Sequence, residues 1–366
     1  MLGKKILNDL SAYKQGMQIE DVKKEFNLER IVKLSSNENP YGYSELVNEI
    51  FSKKDFEIYP DGYSYDLRMV MANKLAVDLD NIVFGAGSDE LITCICRAFL
   101  YDGTNTVMAT PTFSQYRHHA LIEGANLKEI PTKNGRHQLE EMLQAIDENT
   151  KVVWLCTPDN PTGEVINNSE LTQFMDKCPK DVVVVLDAAY YEYMNKEDQF
   201  DLQHILNNYH NVIVLRTFSK IYGLAGLRIG YGITSKKIAH LLNVVRGPFN
   251  TSSISQRAAI AALQDDEFVQ NSKKKNAHVL KQFQQFLDTI QWEYYNSQTN
   301  FLLVKTPIDA DEFSTFLLQN GFIVRSGTAL GYPNTVRITI GNEKDMESLQ
   351  HTILEFHNKL NNEVVE

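Results

Sequence analysis

Three runs of apolar residues constrain the fold of this chain more than any other feature. They span residues 151–156, 181–186 and 211–220 and consist mainly of valine, isoleucine and leucine. Near-continuous runs of this kind are typical of strands that are buried on both faces, as in parallel sheets. The runs therefore predict a parallel sheet with helices on both sides.

Polar residues stand at the end of each run. Asn160 follows the first run, Asp187 and Tyr190 follow the second, and Lys220 closes the third. The carboxyl ends of neighbouring parallel strands meet at one edge of a sheet, where open α/β sheets bind ligands. We therefore expect these four residues to converge on one site.

The order of the patterns indicates two domains. The 366 residues suffice for a large and a smaller hydrophobic core. Helical and strand patterns alternate over residues 37–263, which is typical of a large, doubly wound, mostly parallel α/β domain. Residues 264–366 begin with a long helical pattern and continue with short strands and helices. Together with an amino-terminal arm, residues 1–36, they are expected to form a small α+β domain.

Charge and composition argue against several classes of partner. The net charge of −11 disfavours binding to nucleic acid, which requires a basic face. No stretch approaches the ~18 apolar residues of a membrane span, and the start of the chain lacks the apolar core of a signal peptide. The four cysteines form no CxxC pair, and the nine histidines form no HxxxH or HExxH arrangement. We expect a cytoplasmic protein with reduced cysteines and no metal site.

A lysine beside an aspartate at a sheet edge suits pyridoxal 5'-phosphate. Lys220 can form an imine with the aldehyde of this cofactor. Asp187 would keep the pyridine nitrogen protonated, because a nearby carboxylate favours the cation. Asn160 and Tyr190 would donate hydrogen bonds to the ring hydroxyl oxygen. Lys220, once released by a substrate amine, would move the proton at the substrate α-carbon.

The phosphate of such a cofactor needs a clamp of its own. Residues 85–90 contain two glycines and begin a helical pattern, so Ser88 and Asp89 would offer backbone N–H groups at a helix amino terminus. Ser219 and Arg228 lie on either side of Lys220 and would add a hydroxyl and a guanidinium. The same glycines are also half of a dinucleotide-binding fingerprint, but the third glycine of that fingerprint is absent.

Three further residues are candidates, each with an ordinary structural alternative. Phe113 would stack on the cofactor ring, although a single phenylalanine is more often a core residue. Arg325 and Arg337 lie in apolar strands of the expected small domain and would capture anionic groups of a substrate. Taken alone, Arg325 is more often a surface residue of a strand.

The motifs together resemble those of a known family. They are Asn160-Pro161-x-Gly163, Asp187-x-x-Tyr190, and Ser219-Lys220 followed by the glycine-spaced residues 223–230. With these motifs the whole chain resembles the pyridoxal-phosphate aminotransferases of fold type I. Further segments make it similar to the histidinol-phosphate aminotransferases within that family: residues 36–40, 59–62, 87–90, 248–250 and 336–341.

The resemblance implies a role for each matching residue. Lys220 corresponds to the lysine that carries the cofactor, Asp187 to the partner of the ring nitrogen, and Asn160 with Tyr190 to the partners of the ring hydroxyl. The cofactor-binding positions implied are Tyr59, Ser88, Asp89, Phe113, Asn160, Asp187, Tyr190, Ser219, Lys220 and Arg228. Members are homodimers, and Tyr59 matches a tyrosine that reaches the cofactor phosphate of the neighbouring subunit.

The resemblance also implies a reaction. Arg337, supported by Arg325, Tyr13 and Asn37, would bind the phosphate of histidinol phosphate and the carboxylates of 2-oxoglutarate in alternate half-reactions. The products would be imidazole-acetol phosphate and glutamate, in histidine biosynthesis. Three alternatives remain open: broader transamination of aromatic amino acids, decarboxylation of a phospho-amino acid, and a non-catalytic ligand-binding or regulatory protein.

The sequence departs from the common family pattern at a few positions. Ala188 stands where a glutamate is usual, Ala86 where an asparagine is frequent, and Phe113 where some relatives have a tyrosine. None of these changes removes a side chain to which we assign a chemical step. We therefore expect the activity to be retained.

Overall fold

The computed structural model describes residues 3–12, 17–52 and 55–363. The strands are β1 (Val32–Lys33), β2 (Ile82–Gly85), β3 (Asn105–Thr110), β4 (Asn126–Pro131), β5 (Thr150–Cys156), β6 (Val183–Asp187), β7 (Val212–Thr217), β8 (Gly230–Thr234), β9 (Phe301–Lys305), β10 (Phe322–Ile323), β11 (Arg325–Ser326) and β12 (Thr335–Thr339). The α-helices are α1 (Ile19–Phe26), α2 (Tyr65–Leu75), α3 (Ser88–Phe99), α4 (Gln115–Ile122), α5 (Leu139–Gln144), α6 (Asn168–Lys177), α7 (Leu202–Asn208), α8 (Lys236–Val245), α9 (Ser253–Leu263), α10 (Asp266–Thr289), α11 (Ala310–Gln319) and α12 (Glu343–Glu363). Short 3-10 helices cover Lys5–Asn8, Glu45–Ser52, Leu79–Asn81, Tyr191–Tyr193, Ala225–Leu227 and Thr328–Leu330.

A seven-stranded sheet forms the centre of the molecule. Its strand order is β2-β8-β7-β6-β5-β3-β4. Strands β4, β3, β5, β6 and β7 pair in parallel, whereas β8 runs antiparallel to both of its neighbours. The predicted α/β fold with a large, mostly parallel sheet is therefore confirmed.

Helices cover both faces of this sheet. Val183 and Val185 of β6 pack with Ile92 of α3 in one core cluster. Their neighbours Val184 and Leu186 belong to another cluster, which includes α6. Successive residues of a strand point to opposite faces. Every position of β6 is thus buried, which explains its unbroken apolar sequence.

The structure differs from the sequence-based expectation in several strands, among them the short β1 and β2, which were not predicted. Strand β8 was not predicted, because Gly230 and Gly232 interrupt its apolar pattern. Residues 322–326 lie in the part of the chain expected to hold short strands, and they form two of them: β10 pairs with β1, whereas β11 pairs with β12. The half-buried Val324 lies between these two strands.

A second, smaller sheet is formed by the carboxy-terminal part of the chain. Its order is β11-β12-β9, with antiparallel pairing throughout. Val32 of β1, from the amino-terminal segment, lies opposite Phe322 of β10. The amino-terminal segment therefore packs with residues beyond 264. The exact division into two domains stays a prediction.

A close contact joins the amino-terminal segment to the loop after Lys220. A Cβ atom added at Gly223 would overlap the backbone oxygen of Gly42. Gly223 also has a φ of +72°, in the left-handed region that favours glycine. The two backbones can approach this closely only without a side chain at position 223.

Over the ranges described, the structure contains no helix long and apolar enough to span a membrane.

Candidate active site

The four polar residues that follow the apolar runs meet at one edge of the large sheet. Strands β5, β6 and β7 are direct neighbours. Asp187 ends β6, Asn160 lies four residues beyond the end of β5, and Lys220 lies three residues beyond the end of β7. All three thus emerge at the carboxyl ends of parallel strands, as expected.

Asp187 is a buried carboxylate with a donor for each oxygen. Its Oδ2 accepts a hydrogen bond of 2.7 Å from the hydroxyl of Tyr116. Its Oδ1 accepts one of 3.2 Å from the backbone N–H of Ala189. Burial raises the pKa of Asp187 to about 6, and both hydrogen bonds oppose that shift. Asp187 is therefore mostly ionised at neutral pH and suited to bind a cationic ring nitrogen.

Lys220 is an amine whose charged form is disfavoured. Burial, and next the positive charge of Arg337, lower the pKa of Lys220 to about 8. Its Nζ donates a hydrogen bond of 3.2 Å to the backbone oxygen of Ser36 and lies 5.5 Å from the ring centroid of Tyr190. A lowered pKa increases the neutral, nucleophilic fraction of the amine near physiological pH.

Tyr190 and Asn37 form a buried pair beside Lys220. Nδ2 of Asn37 donates a hydrogen bond of 2.8 Å to the hydroxyl oxygen of Tyr190. Oδ1 of Asn37 accepts a hydrogen bond of 3.1 Å from Thr339 of β12. The hydroxyl of Tyr190 accepts from Asn37 and therefore keeps its own hydrogen available for donation. Burial raises the pKa of Tyr190, so this tyrosine is neutral.

Arg337 brings the smaller sheet to the same place. One end of its guanidinium donates to Oδ1 of Asn160 at 2.5 Å and the other to the backbone oxygen of Ser35 at 2.9 Å. The guanidinium also lies over the ring of Phe301, 5.3 Å from its centroid. Arg325 stands directly opposite Arg337 in the pairing of β11 with β12. The structure thus places both predicted arginines side by side.

A cradle for an anion lies at the amino terminus of α3. The helix begins at Ser88, just after Gly87, which has a φ of +82°. One nitrogen of Arg228 donates to the hydroxyl of Ser219 at 3.3 Å, and the other lies 3.7 Å from a carboxylate oxygen of Asp89. The cradle combines the backbone N–H groups of a helix amino terminus with a hydroxyl and a guanidinium, which is suitable chemistry for a phosphate.

The backbone around the cradle is closely packed and strained. A Cβ atom added at Gly230 of β8 would lie 2.5 Å from the backbone nitrogen of Ser88. Arg228 adopts a left-handed conformation with a φ of 48°. Such a conformation is uncommon for arginine and persists only where the surroundings enforce it. The surrounding packing therefore fixes the backbone from which the Arg228 side chain extends.

A buried carboxylate that the sequence-based prediction missed holds the loop of Asn160. Asp159 accepts hydrogen bonds from the hydroxyl of Thr112 at 2.6 Å and from that of Thr162 at 2.9 Å. Thr112 precedes Phe113, which is half-buried and meets the ring of Tyr116 edge-on. Asp159 therefore links the loop of Asn160 to that of the predicted stacking residue.

One predicted residue lies apart from this group, and another is not among the residues that the structure describes. Tyr59 is 79% exposed, and its ring stacks on Phe249 at a centroid distance of 4.8 Å. Tyr13 falls outside the residues that the structure describes.

All four cysteines are buried and free. Over residues 3–12, 17–52 and 55–363 there is no group of three or more His, Cys, Asp or Glu side chains that could hold a metal ion.

The sequence-based prediction also missed Tyr116, which contacts Asp187 directly. It lies on α4, three residues after Phe113, and no motif marks it. Its position in a helix that begins just after β3 was the available signal. The sequence does not show that its hydroxyl reaches the end of β6.

Comparison with known proteins finds a matching family and similar relatives. The family described as "Aminotransferase class I and II" matches residues 29–353. The chain is 55% identical to "Histidinol-phosphate aminotransferase 2" of Oceanobacillus iheyensis over 98% of this chain and 100% of that protein. It is 50% identical to the histidinol-phosphate aminotransferase of Anoxybacillus flavithermus over 94% of each chain.

A solved structure is similar over nearly the whole chain. It is histidinol-phosphate aminotransferase from Sinorhizobium meliloti in complex with pyridoxal-5'-phosphate. The TM-score is 0.89 at 26% sequence identity, with 98% of each chain covered. By its family match and its relatives, this chain belongs to the class I and II aminotransferases.

Proposed function

We propose that this chain transfers an amino group between L-histidinol phosphate and 2-oxoglutarate, with pyridoxal 5'-phosphate as cofactor. The products are imidazole-acetol phosphate and glutamate, and the reaction belongs to histidine biosynthesis in the cytoplasm. The observation that carries the proposal is that Lys220 and Asp187 follow neighbouring strands of the large sheet, at the edge where Arg337 of the smaller sheet bonds to Asn160. The names and high identity of the relatives support the choice of substrate.

The residues present fit pyridoxal 5'-phosphate. The cradle at α3, with Ser88, Asp89, Ser219 and Arg228, would hold its phosphate, and the buried Asp187 would hold its ring nitrogen. Phe113 would cover the ring, and Asn160 and Tyr190 would bond to its hydroxyl oxygen. When bound, the cofactor supplies an electron-accepting ring conjugated to the reacting carbon.

The chain's own side chains then perform the remaining tasks. Lys220 accepts the proton from the substrate α-carbon, because its neutral form is populated near pH 8. Asp187 stays ionised and thereby keeps a proton on the ring nitrogen that it binds. Arg337 and Arg325 bind the anionic end of either substrate. The two substrates alternate, so one pair of arginines serves both.

The protein is proposed to act as a homodimer. Several large apolar side chains that are close to Tyr59 in sequence or stacked on it are exposed: Phe56, Ile58, Tyr63, Tyr65 and Phe249. Clustered exposure of this kind is typical of an interface between subunits. In the proposed dimer Tyr59 would reach the cofactor phosphate held by the partner. Light scattering of the purified protein measures the molar mass and tests this part of the proposal.

Stopped-flow half-reactions test the reaction itself. The cofactor-loaded enzyme is mixed separately with histidinol phosphate, phenylalanine and threonine phosphate, and the visible absorbance of the cofactor is followed. Rapid loss of absorbance with histidinol phosphate, and recovery on adding 2-oxoglutarate, is the expected result. A preference for phenylalanine would instead indicate a broader aromatic aminotransferase. Release of carbon dioxide from threonine phosphate without an oxo acid would indicate a decarboxylase.

A further inference from the structure

Tyr116 is buried beneath the candidate site and contacts one of its central groups. The residue is completely buried on α4, and its hydroxyl donates a hydrogen bond of 2.7 Å to Oδ2 of Asp187. The backbone N–H of Ala189 binds the other carboxylate oxygen at 3.2 Å. Two donors on different oxygens fix the plane of the Asp187 carboxylate.

The ring of Tyr116 is itself held in place. It stacks on Trp154 of β5 at 4.7 Å with an angle of 12° between the rings, and it meets Phe113 edge-on at 5.5 Å. The indole N–H of Trp154 donates to the hydroxyl of Thr106 at 2.8 Å. The Tyr116 hydroxyl is therefore a rigid donor, which is the kind of group that can hold a carboxylate in one orientation.

Two carboxylates facing Asp187 disfavour its ionised form, and the thiol of Cys156 on β5 also faces it. The carboxylates of Asp89, on α3, and Asp159, on the loop after β5, act with burial to raise the pKa of Asp187. The hydrogen bond from Tyr116 is the largest of the interactions that lower it. Buried hydrogen bonds to an ionised group are stronger than those between neutral groups. Tyr116 is thus placed to offset the cost of burying this charge.

We infer that Tyr116 is a positioning residue for Asp187, whose hydroxyl keeps the buried carboxylate ionised and aimed at the ring nitrogen of the cofactor. The inference rests on the proposed function, because it presupposes that pyridoxal 5'-phosphate binds at this site. It adds a residue that acts through Asp187, without touching the substrate itself. Its effect is therefore expected in cofactor affinity and in pH dependence as well as in turnover.

Tyr116→Phe removes the hydroxyl and keeps the stacked ring. We expect the affinity for pyridoxal 5'-phosphate, measured by equilibrium dialysis, to weaken about tenfold, the usual scale for losing a hydrogen bond to a charged group. The pKa of Asp187 rises when its donor is lost. Cofactor binding is then lost at a higher pH on the acid side than in the unchanged enzyme.

A matched control exists elsewhere in the chain. The hydroxyl of Tyr209 also donates to a carboxylate, that of Asp176, at 2.7 Å. Tyr209→Phe deletes the same group far from the active-site residues and should leave cofactor affinity and its pH dependence unchanged. Circular dichroism and thermal unfolding of both variants show whether the fold is retained.

A double-variant comparison separates a positioning role from general damage. If Tyr116 acts through Asp187, Tyr116→Phe should weaken cofactor binding little further in an Asp187→Asn background. Unchanged affinity and unchanged acid-side behaviour in Tyr116→Phe would overturn the inference. Full additivity of the two changes in binding free energy would also overturn the inference. This comparison remains decisive even if Tyr116→Phe is less stable than the unchanged protein. Failure of the unchanged protein to bind pyridoxal 5'-phosphate would instead refute the proposed function.

Discussion

Arg337 of the smaller sheet donates a hydrogen bond of 2.5 Å to Oδ1 of Asn160, which follows a strand of the larger sheet. The proposed anion-binding residue thus contacts a proposed cofactor-binding residue directly. Arg337 also donates a hydrogen bond to the backbone oxygen of Ser35. A substrate anion that binds Arg337 would therefore act on three separate segments of the chain at once.

Replacing Arg337 with lysine tests its role in substrate binding. A lysine keeps the charge but loses the planar fork that binds an anion with two hydrogen bonds. We expect Arg337→Lys to raise KM about tenfold or more for both histidinol phosphate and 2-oxoglutarate, with a smaller change in kcat. Steady-state kinetics, with each substrate varied in turn, measure the two KM values. Arg117→Lys, at an exposed arginine paired with Glu129, is the control. An unchanged KM for both substrates would remove Arg337 from the binding site.

Lys220→Ala should abolish turnover and leave the fold intact. The variant has no amine to carry the cofactor or to move the proton at the substrate carbon. Its visible cofactor absorbance should differ from that of the unchanged enzyme, while its far-ultraviolet circular dichroism should be the same. Lys236→Ala, which removes an exposed lysine paired with Asp78, serves as the control. Full activity of Lys220→Ala would refute the assignment.

Asp187→Asn should slow removal of the α-proton by orders of magnitude. An amide cannot stabilise a positive charge on the ring nitrogen, and a neutral ring accepts electrons poorly. Single-turnover measurements with histidinol phosphate isolate this step from product release. A rate equal to that of the unchanged enzyme would exclude Asp187 from the mechanism.

The same substitution should stabilise the protein when it lacks cofactor. The pKa of Asp187 is raised from 3.8 to about 6 by burial, so the folded protein binds more protons than the unfolded chain between these values. The free energy of unfolding therefore falls as pH rises through this window. Asp187→Asn avoids that loss, which amounts to about 3 kcal/mol at most at pH 7. Thermal unfolding at pH 7 and at pH 4 should show a gain in Tm that is larger at pH 7.

Gly230→Ala should weaken cofactor binding through the cradle. The added methyl group would lie 2.5 Å from the backbone nitrogen of Ser88 and 2.7 Å from the carbonyl carbon of Gly87. Overpacking of this kind costs about 1 to 3 kcal/mol, which corresponds to an affinity weaker by about five-fold to about 150-fold if the strain falls on the cradle. Gly226→Ala is the matched control, because nothing lies within 4 Å of its added Cβ. Equal affinities of the two variants would contradict the proposed site.

Much of the large sheet could be predicted from sequence. Residues such as Val184 and Val185 are buried on opposite faces, so no polar position interrupts the run. The polar residues at the strand ends were predicted for the same reason, since the chain turns polar where the buried strand stops. These signals are local, and a single sequence contains them in full.

The remaining features depend on contacts between distant residues. Strand β8 begins with Gly230 because the backbone there must approach Ser88, a requirement that no local pattern reveals. Tyr116 appears as an ordinary helical residue until the structure shows its hydroxyl beside Asp187. The hydrogen bonds of Asn37 with Tyr190 and Thr339 likewise join three segments that are far apart in sequence.

The overlap that a side chain at Gly223 would make with Gly42 bears on how the enzyme matures during synthesis. The backbone oxygen that accepts the hydrogen bond from Nζ of Lys220 belongs to Ser36, 184 positions earlier in the chain. Contacts of such long range carry a large loop-closure cost and form slowly. The amino-terminal segment leaves the ribosome well before Lys220 does and must wait for its partner loop. A truncation that removes the amino-terminal segment through Ser36 would therefore take a hydrogen-bond partner from Lys220, although the two residues lie far apart in the sequence.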